Sequence, residues 1–263
     1  MSIAGVLTAT VLVGAIGLFI GAFLGFSGKK FEVAEDEKVM KVRDALPGSN
    51  CGGCGYPGCD GLAKAIALGE APVHACPVGG ESVIHEIATI MGVEVTKTTP
   101  MTAFVKCHGD CKKTKENYIY TGVEDCKVQQ FVPAGGSKSC NYGCLGFGNC
   151  VKKCPFEAIH IINGIAVVDK KSCRACGMCV EACPINLIEL IPYGQKVLVA
   201  CHSKDKGKTV INACQIGCIG CKKCEKKCPF DAIHIVDDIA CIDFDKCKNC
   251  GICKKECPRK CII

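Results

Sequence analysis

The second half of the chain carries one cysteine-rich unit written twice. The first copy runs SCNYGCLGFGNCVKKCPFEAIHIINGIAVVDKKSCRACGMCVEACP from Ser139, the second ACQIGCIGCKKCEKKCPFDAIHIVDDIACIDFDKCKNCGICKKECP from Ala213, and they align without a gap. In the second copy Cys218, Cys221, Cys224 and Cys228 precede Pro229, and Cys247, Cys250, Cys253 and Cys257 precede Pro258, so CxxCxxCxxxCP is spelled twice. Three thiolates at that spacing wrap three corners of one iron–sulfur cube from a single turn of chain, and the remote cysteine before proline reaches the other cube. The expected ligand sets are therefore Cys218, Cys221, Cys224 and Cys257 for one 4Fe–4S centre, and Cys247, Cys250, Cys253 and Cys228 for its partner. Zinc also takes four thiolates, but typically from two separated CxxC pairs.

The first copy has one complete set, Cys173, Cys176 and Cys179 with Cys154 from across the pair. Its other centre is defective: Phe147 stands where the second copy has Cys221, leaving Cys144, Cys150 and Cys183. Either Cys140 bends in as the fourth ligand, or the site holds a 3Fe–4S centre or a cube with an atypical, non-cysteine ligand. Upstream, VKCHGDC at Val105 echoes VACHSKD at Val199, so the repeat begins before the ferredoxin motif. Cys140 corresponds to Cys214, which lies outside the complete second-copy sets. Cys140 is therefore grouped with Cys107, Cys111 and Cys126 as the ligands of an additional, sixth cluster, and Cys201 and Cys214 are left without a role. His160 and His234 occupy matching strand positions and read as structural. His108 and His202 each follow a cysteine and read as hydrogen-bond donors to sulfur, with iron ligation as the alternative. Cys241 and Cys261 match Val167 and Leu187, which predicts buried thiols.

Between the halves of each unit, IHII and IAVV flank Asn163–Gly164, and IHIV and IACID flank Asp237–Asp238. Both are two-residue hairpin signals. With the short helices after CPFEAI and CPFDAI they predict an α+β ferredoxin architecture in which clusters replace much of the apolar core. Nearer the N-terminus, CGGCGYPGC supplies Cys51, Cys54 and Cys59, and Cys76 follows the helical stretch DGLAKAIALGE. Glycines in that loop let the backbone wrap tightly and aim N–H groups at sulfur. These four cysteines predict a separate one-cluster 4Fe–4S domain. Val33–Leu46 reads as an amphipathic helix before it, and Glu81–Met91 as a helix after it, closed by Gly92.

Ile3–Ser27 carries no charged side chain and is followed by Lys29 and Lys30. That is long enough to cross a bilayer once, with the remainder cytoplasmic by the positive-inside rule. Gly17, Gly21 and Gly25 recur every fourth residue, a smooth face for packing against another helix. The 27 cysteines among 263 residues would suggest disulfides in a secreted chain, but clusters need reduced thiolates, which places them in a reducing compartment. The formal charge of +6 counts cysteines as neutral; each bound cube with its thiolates adds roughly −2. Lys152–Lys153, Lys222–Lys223, Lys226–Lys227 and Lys254–Lys255 lie inside the cluster loops and offset that charge, or form a docking patch for an acidic redox protein. Few aromatics and no recognition motif exclude a nucleic-acid partner. No phosphate cradle, dinucleotide fingerprint or nucleophile–base pair marks a catalytic site.

An N-terminal apolar helix, LPGSNCGGCGYPGC with a distal HACPVGG, and tandem ferredoxin units together resemble the B-subunit family of Rnf electron-transport complexes, over essentially the whole chain. The resemblance implies a single-pass protein of the cell (inner) membrane, with its Fe–S domains in the cytoplasm. It implies that the chain takes electrons from soluble ferredoxin and relays them to other Rnf subunits, which reduce NAD⁺ and move Na⁺ or H⁺. The expected division is an anchor at 1–28, a linker helix and one-cluster domain at 29–98, a cysteine-containing pre-module at 99–138, ferredoxin units at 139–192 and 213–263, and a connector at 193–212. Five 4Fe–4S clusters are expected, with the pre-module adding a sixth. A polyferredoxin-like component of another membrane oxidoreductase, such as a hydrogenase or dehydrogenase, has much the same cysteine pattern.

Overall fold

A computed structural model describes residues 3–30, 36–95 and 99–263. It opens with helix α1 (Ile3–Lys30), 28 residues long. Its described apolar side chains, Leu18, Phe19 and Phe26 among them, are exposed, and a Cβ added at Gly17, Gly21 or Gly25 would meet nothing within 4 Å. Among the described residues no helix is long and apolar enough to cross a membrane.

Three helices build the next layer: α2 (Glu37–Ala45), α3 (Gly58–Ala67) and α4 (Gly80–Met91). Asp36 caps α2 through its side chain. The first part of the expected Val33–Leu46 helix lies outside the described residues. Gly92 closes α4 in the left-handed conformation at φ 70°, which glycine adopts without a Cβ clash. Val42, Leu62, Ile66 and Ile87 are fully buried between these helices; each such side chain contributes about 1.5–3 kcal/mol. Cys59 and Cys76 sit in the same core.

The rest of the chain alternates short strands and helices: β1 (Met101–Val105), α5 (Cys126–Gln129), α6 (Asn149–Lys152), β2 (Ile159–Ile162), β3 (Ile165–Val168), α7 (Met178–Ala182), β4 (Ile188–Pro192), α8 (Gly207–Ala213), α9 (Lys223–Lys227), β5 (Ile233–Val236), β6 (Ile239–Ile242) and α10 (Ile252–Glu256). Both predicted hairpins are present, with Ile159 opposite Val168 and Ile233 opposite Ile242. Their turns carry φ of 50° and 75° at Asn163 and Gly164, and 49° and 61° at Asp237 and Asp238. Two positive φ values in succession make a turn whose twist matches the strands it joins.

The third pairing departs from the expected division. β1, from the pre-module, pairs antiparallel with β4 at the end of the first ferredoxin unit. The second copy repeats this: Val199 bridges Ile262, and the Ala200 N–H donates to Cys261 O at 2.8 Å, as Lys106 N–H does to Leu187 O at 2.9 Å. Each ferredoxin unit thus includes the strand that precedes it. What reads as a pre-module and a connector in sequence is the closing edge of each unit.

The loops are laid down tightly, and Gly146 shows the closest approach of a glycine to neighbouring backbone. It sits at φ 84°, and a Cβ there would stand 2.6 Å from Gly164 O. Gly146→Ala is expected to cost about 1–3 kcal/mol, seen as a fall of several degrees in the anaerobic thermal unfolding midpoint; an unchanged midpoint would show that the loop relaxes freely.

Candidate iron–sulfur centres

In the N-terminal domain the CGGCGYPGC loop leaves α2 and ends in α3. Asn50 adopts φ 47°, and Gly52, Gly55 and Gly58 lie at 71°, 83° and 81°. The Asn50 side chain accepts the Cys59 N–H at 2.8 Å, and Arg43 pairs with Asp60 on the first turn of α3. Cys54, Cys59 and Cys76 interact electrostatically, and burial with that repulsion pushes the Cys76 thiol up despite the Val78 and Gly79 N–H groups. Cys51 begins the loop, close enough to Cys176 of the first ferredoxin unit to act on it electrostatically. A Cβ at Gly53 would stand 2.9 Å from Cys176 Cβ. Only glycine allows the two loops to touch there.

The first unit gathers Cys154, Cys173, Cys176 and Cys179 about α7. Its second cavity is lined by Cys144, Cys150, Cys183 and a fourth cysteine that the spacing assigned elsewhere, Cys126. Cys126 opens α5, where Asp125 caps the helix by accepting the Lys127 and Val128 N–H groups. The Cys126 N–H donates to Asn149 Oδ1 at 3.0 Å, which pins α5 to the loop between Cys144 and Cys150. Phe147, in the place of the missing cysteine, packs its ring against Tyr120 at 5.7 Å. Beside the expected alternatives for this centre (Cys140, a 3Fe–4S centre or a non-cysteine ligand), the structure thus places a cysteine from a remote insertion, Cys126, in the cavity wall. A lone Cys-containing helix cap far upstream carried no spacing signal that could have revealed it.

In the second unit the two cavities follow the spacing rule. One is lined by Cys228, Cys247, Cys250 and Cys253, the other by Cys218, Cys221, Cys224 and Cys257. The second wall also contains Cys261, buried and 3.5 Å from Cys257 Sγ. Hydrogen bonding from Cys261 brings Cys218 down to about 6 and Cys257 to about 5, while Cys261 itself is driven up. Cys261 thus lies against the wall of a prospective cluster site, in hydrogen-bond contact with Cys257. Cys241 is exposed, not buried as its match to Val167 suggests, because that face of the hairpin looks outward.

The expected set Cys107, Cys111, Cys126 and Cys140 does not assemble. Cys126 serves the Cys144 cavity, and Cys111 is exposed beside the Asn163–Gly164 turn, its N–H donating to Asn163 O. Cys107 and Cys140 instead line a cavity with Cys201 and Cys214.

Whether these sites suit clusters turns on how the sulfurs are treated. Backbone N–H groups donate to Sγ at repeated positions: Ala166 to Cys144 at 3.3 Å, Leu187 to Cys183 at 3.3 Å, Ala158 to Cys154 and Ala232 to Cys228 at 3.4 Å. Such bonds stabilise thiolates and tune cluster potentials. Burial pushes Cys150 and Cys179 up to about 12 and Cys224 to about 11, so iron must displace protons there. A tetrahedral zinc site brings sulfurs to about 4 Å of one another; among the described residues no three Cys, His, Asp or Glu groups are placed to share a single metal ion. His160 and His234 are on the hairpins, and His234 bonds locally to Asp231 O. Burial lowers His108 and His202. Lys138 is buried, its ammonium donating to Cys144 O at 2.7 Å and Gly164 O at 2.9 Å. A lone buried ammonium is costly; an anionic cluster held by Cys144 would compensate it.

Cys126→Ser is expected to remove about one to four irons per chain, by iron assay, and to alter one paramagnetic centre, whereas Cys140→Ser leaves the Cys144 centre intact; the reverse pattern would refute the Cys126 assignment. Lys138→Met should shift that centre's reduction potential negative by tens of millivolts, on the order of a nearby charge at intermediate dielectric, measured by redox titration.

Comparison with known proteins finds iron–sulfur families along the chain. Residues 46–78 match an Fe-S cluster family, residues 137–184 and 172–232 match 4Fe-4S dicluster domain families, and residues 244–260 match a 4Fe-4S binding domain family. The chain is 46% identical to the B subunit of the Na(+)-translocating ferredoxin:NAD(+) oxidoreductase complex of Acetobacterium woodii, over 98% of this chain and 77% of the relative. It is 44% identical to the B subunit of the ion-translocating oxidoreductase complex of Methanosarcina acetivorans, over 97% of each. It is 40% identical to the B subunit of the proton-translocating ferredoxin:NAD(+) oxidoreductase complex of Clostridium ljungdahlii, over 96% of this chain and 90% of the relative. With identity at this level running from the glycine-rich cysteine loop through both ferredoxin units, the chain belongs to the B-subunit family of Rnf, the ion-translocating ferredoxin:NAD⁺ oxidoreductase complexes.

Proposed function

We propose that this chain is the iron–sulfur electron-transfer component of an Rnf complex, receiving electrons from reduced ferredoxin and delivering them to partner subunits that reduce NAD⁺ and translocate Na⁺ or H⁺. The observation that carries this reading is that Cys126, Cys144, Cys150 and Cys183 line one cavity, although the motif there lacks a cysteine, just as four cysteines line each of the two second-unit cavities. When bound, 4Fe–4S clusters accept and release single electrons. The chain's residues would hold five of them: Cys51, Cys54, Cys59 and Cys76; Cys154, Cys173, Cys176 and Cys179; Cys126, Cys144, Cys150 and Cys183; Cys218, Cys221, Cys224 and Cys257; and Cys228, Cys247, Cys250 and Cys253. The full complement at Cys144 favours 4Fe–4S there over 3Fe–4S. NAD⁺ has no site in this reading; the chain is part of an enzyme through its complex.

Two features support an ordering along the molecule. The one-cluster domain follows α1 and touches Cys176 through Gly53, which suits delivery toward membrane partners. At the other end Cys221 and Cys250 are exposed, amid exposed Lys222, Lys223, Lys226, Lys248, Lys254 and Lys255. That surface suits an acidic soluble ferredoxin, since complementary charge steers encounter. The uncharged stretch Ile3–Ser27, helical throughout and followed by Lys29 and Lys30, supports a single-pass anchor in the cell membrane with the Fe–S domains on the cytoplasmic side.

Anaerobically purified protein should be brown, contain iron and sulfide without stoichiometric zinc, and be bleached by reduced ferredoxin. Colourless, zinc-loaded protein would overturn the reading. Reversing Lys222, Lys223, Lys226 and Lys227 to Glu should slow reduction by ferredoxin about tenfold or more at low ionic strength, with the difference shrinking as salt rises. A rate indifferent to both would move the entry port elsewhere.

A further inference from the structure

The cavity lined by Cys107, Cys140, Cys201 and Cys214 draws two thiols from each copy of the repeat. Cys107 matches Cys201, and Cys140 matches Cys214, so the four are related by the internal symmetry of the chain. Cys107, Cys201 and Cys214 each lie near enough to Cys140 to push its thiol up. A Cβ built on Gly109 would lie 3.3 Å from Cys214 Sγ and 3.7 Å from Cys107 Sγ, so thiols from different copies face the same small space. That space measures about 20 Å³, equal to the Cys126–Cys144 cavity and larger than the roughly 10 Å³ at each second-unit quartet.

The surroundings are built as at the other quartets. Gly109 and Tyr142 N–H groups reach Cys107 and Cys140, and the Ser203 N–H reaches Cys201. The Thr114 hydroxyl donates to Cys214 Sγ at 3.8 Å. Ala200, Val210, Ala213 and Ile216 complete an apolar wall. Strand contacts clamp the two copies together here, with Lys115 N–H donating to Ala213 O at 3.0 Å and Gln215 N–H to Lys113 O at 2.8 Å.

We propose that Cys107, Cys140, Cys201 and Cys214 hold a further 4Fe–4S cluster that joins the two ferredoxin units. Its position between them is set by two matched hydrogen bonds. Cys107 Sγ accepts the N–H of Cys144, a ligand residue of the first unit, at 3.5 Å, and Cys201 Sγ accepts the N–H of Cys218, a ligand residue of the second, at 3.3 Å. The site therefore touches a quartet on each side, and the paired cysteines that had no place in the ferredoxin motifs acquire one function. The proposal rests on the reading of the other quartets as 4Fe–4S sites.

The test is an iron, sulfide and zinc count on the anaerobic full-length protein, with spin quantitation after full reduction. About 24 irons and six reduced centres per chain are expected, against about 20 and five without this site. The double variant Cys107→Ala, Cys201→Ala should lose about four irons and retain about 20, while Cys111→Ala with Cys241→Ala, both exposed, loses none. Wild-type protein with about 20 irons, or with zinc in addition to them, overturns the proposal, as does a double variant that keeps every iron. If the double variant loses all its iron by misfolding, the wild-type count and spin quantitation decide alone. Wild-type protein without iron would instead sink the broader electron-transfer reading.

Discussion

Sulfur placement is the constraint on which the rest of this molecule depends. The ferredoxin units have short helices and two-stranded hairpins, too little apolar surface to be held by packing alone, and their cores are shared between aliphatic side chains and cysteines. Ile159, Ile165 and Leu187 pack with Cys144, Cys150 and Cys179, and Ile233 and Ile239 with Cys218, Cys224 and Cys253. Buried thiols are poor thiolates, and burial raises most of those that shift. The backbone answers by aiming N–H groups at sulfur, which requires sharp reversals of the chain. That requirement explains why positive φ recurs at matched places, at Ala175 and Asn249 within the cysteine triplets and at Glu157 and Asp231 after the CP dipeptides. Such conformations cost of order 1–3 kcal/mol where they are strained, and cluster binding offsets them by coupling metal affinity to folding.

The repeat is more than two domains in series. Each unit closes its edge with a strand from the segment before it, and the two then interlock through the antiparallel contact of Thr114 with Cys214. The insertion between Cys111 and Ser139, present only in the first copy, brings Cys126 to the cavity of the quartet that Phe147 interrupts. An aromatic ring at that position is tolerated because Tyr120, from the same insertion, receives it.

Charge follows the same geometry. Exposed lysines lie in the cluster loops of the second unit, and Lys138 is buried, its ammonium bonded to two backbone carbonyls. Next to an anionic group such a side chain lowers the work of adding an electron, so burial of a cation is a way to set potential as well as a cost to folding.

Local spacing alone determined the second-unit quartets, the Cys154–Cys179 set, the glycine-rich loop and both hairpins, because in each the ligands or turn residues are fixed by a few consecutive residues and a short-range geometry. Family membership was legible for the same reason, in the order of those motifs. Tertiary structure alone decided the partner of Cys144, the separation of Cys111 from Cys107, the exposure of Cys241 and the meeting of Cys107 and Cys140 with Cys201 and Cys214. These depend on which strand pairs with which and on where an insertion folds back, and a cysteine brought to its neighbours by long-range pairing leaves no periodic trace along the chain.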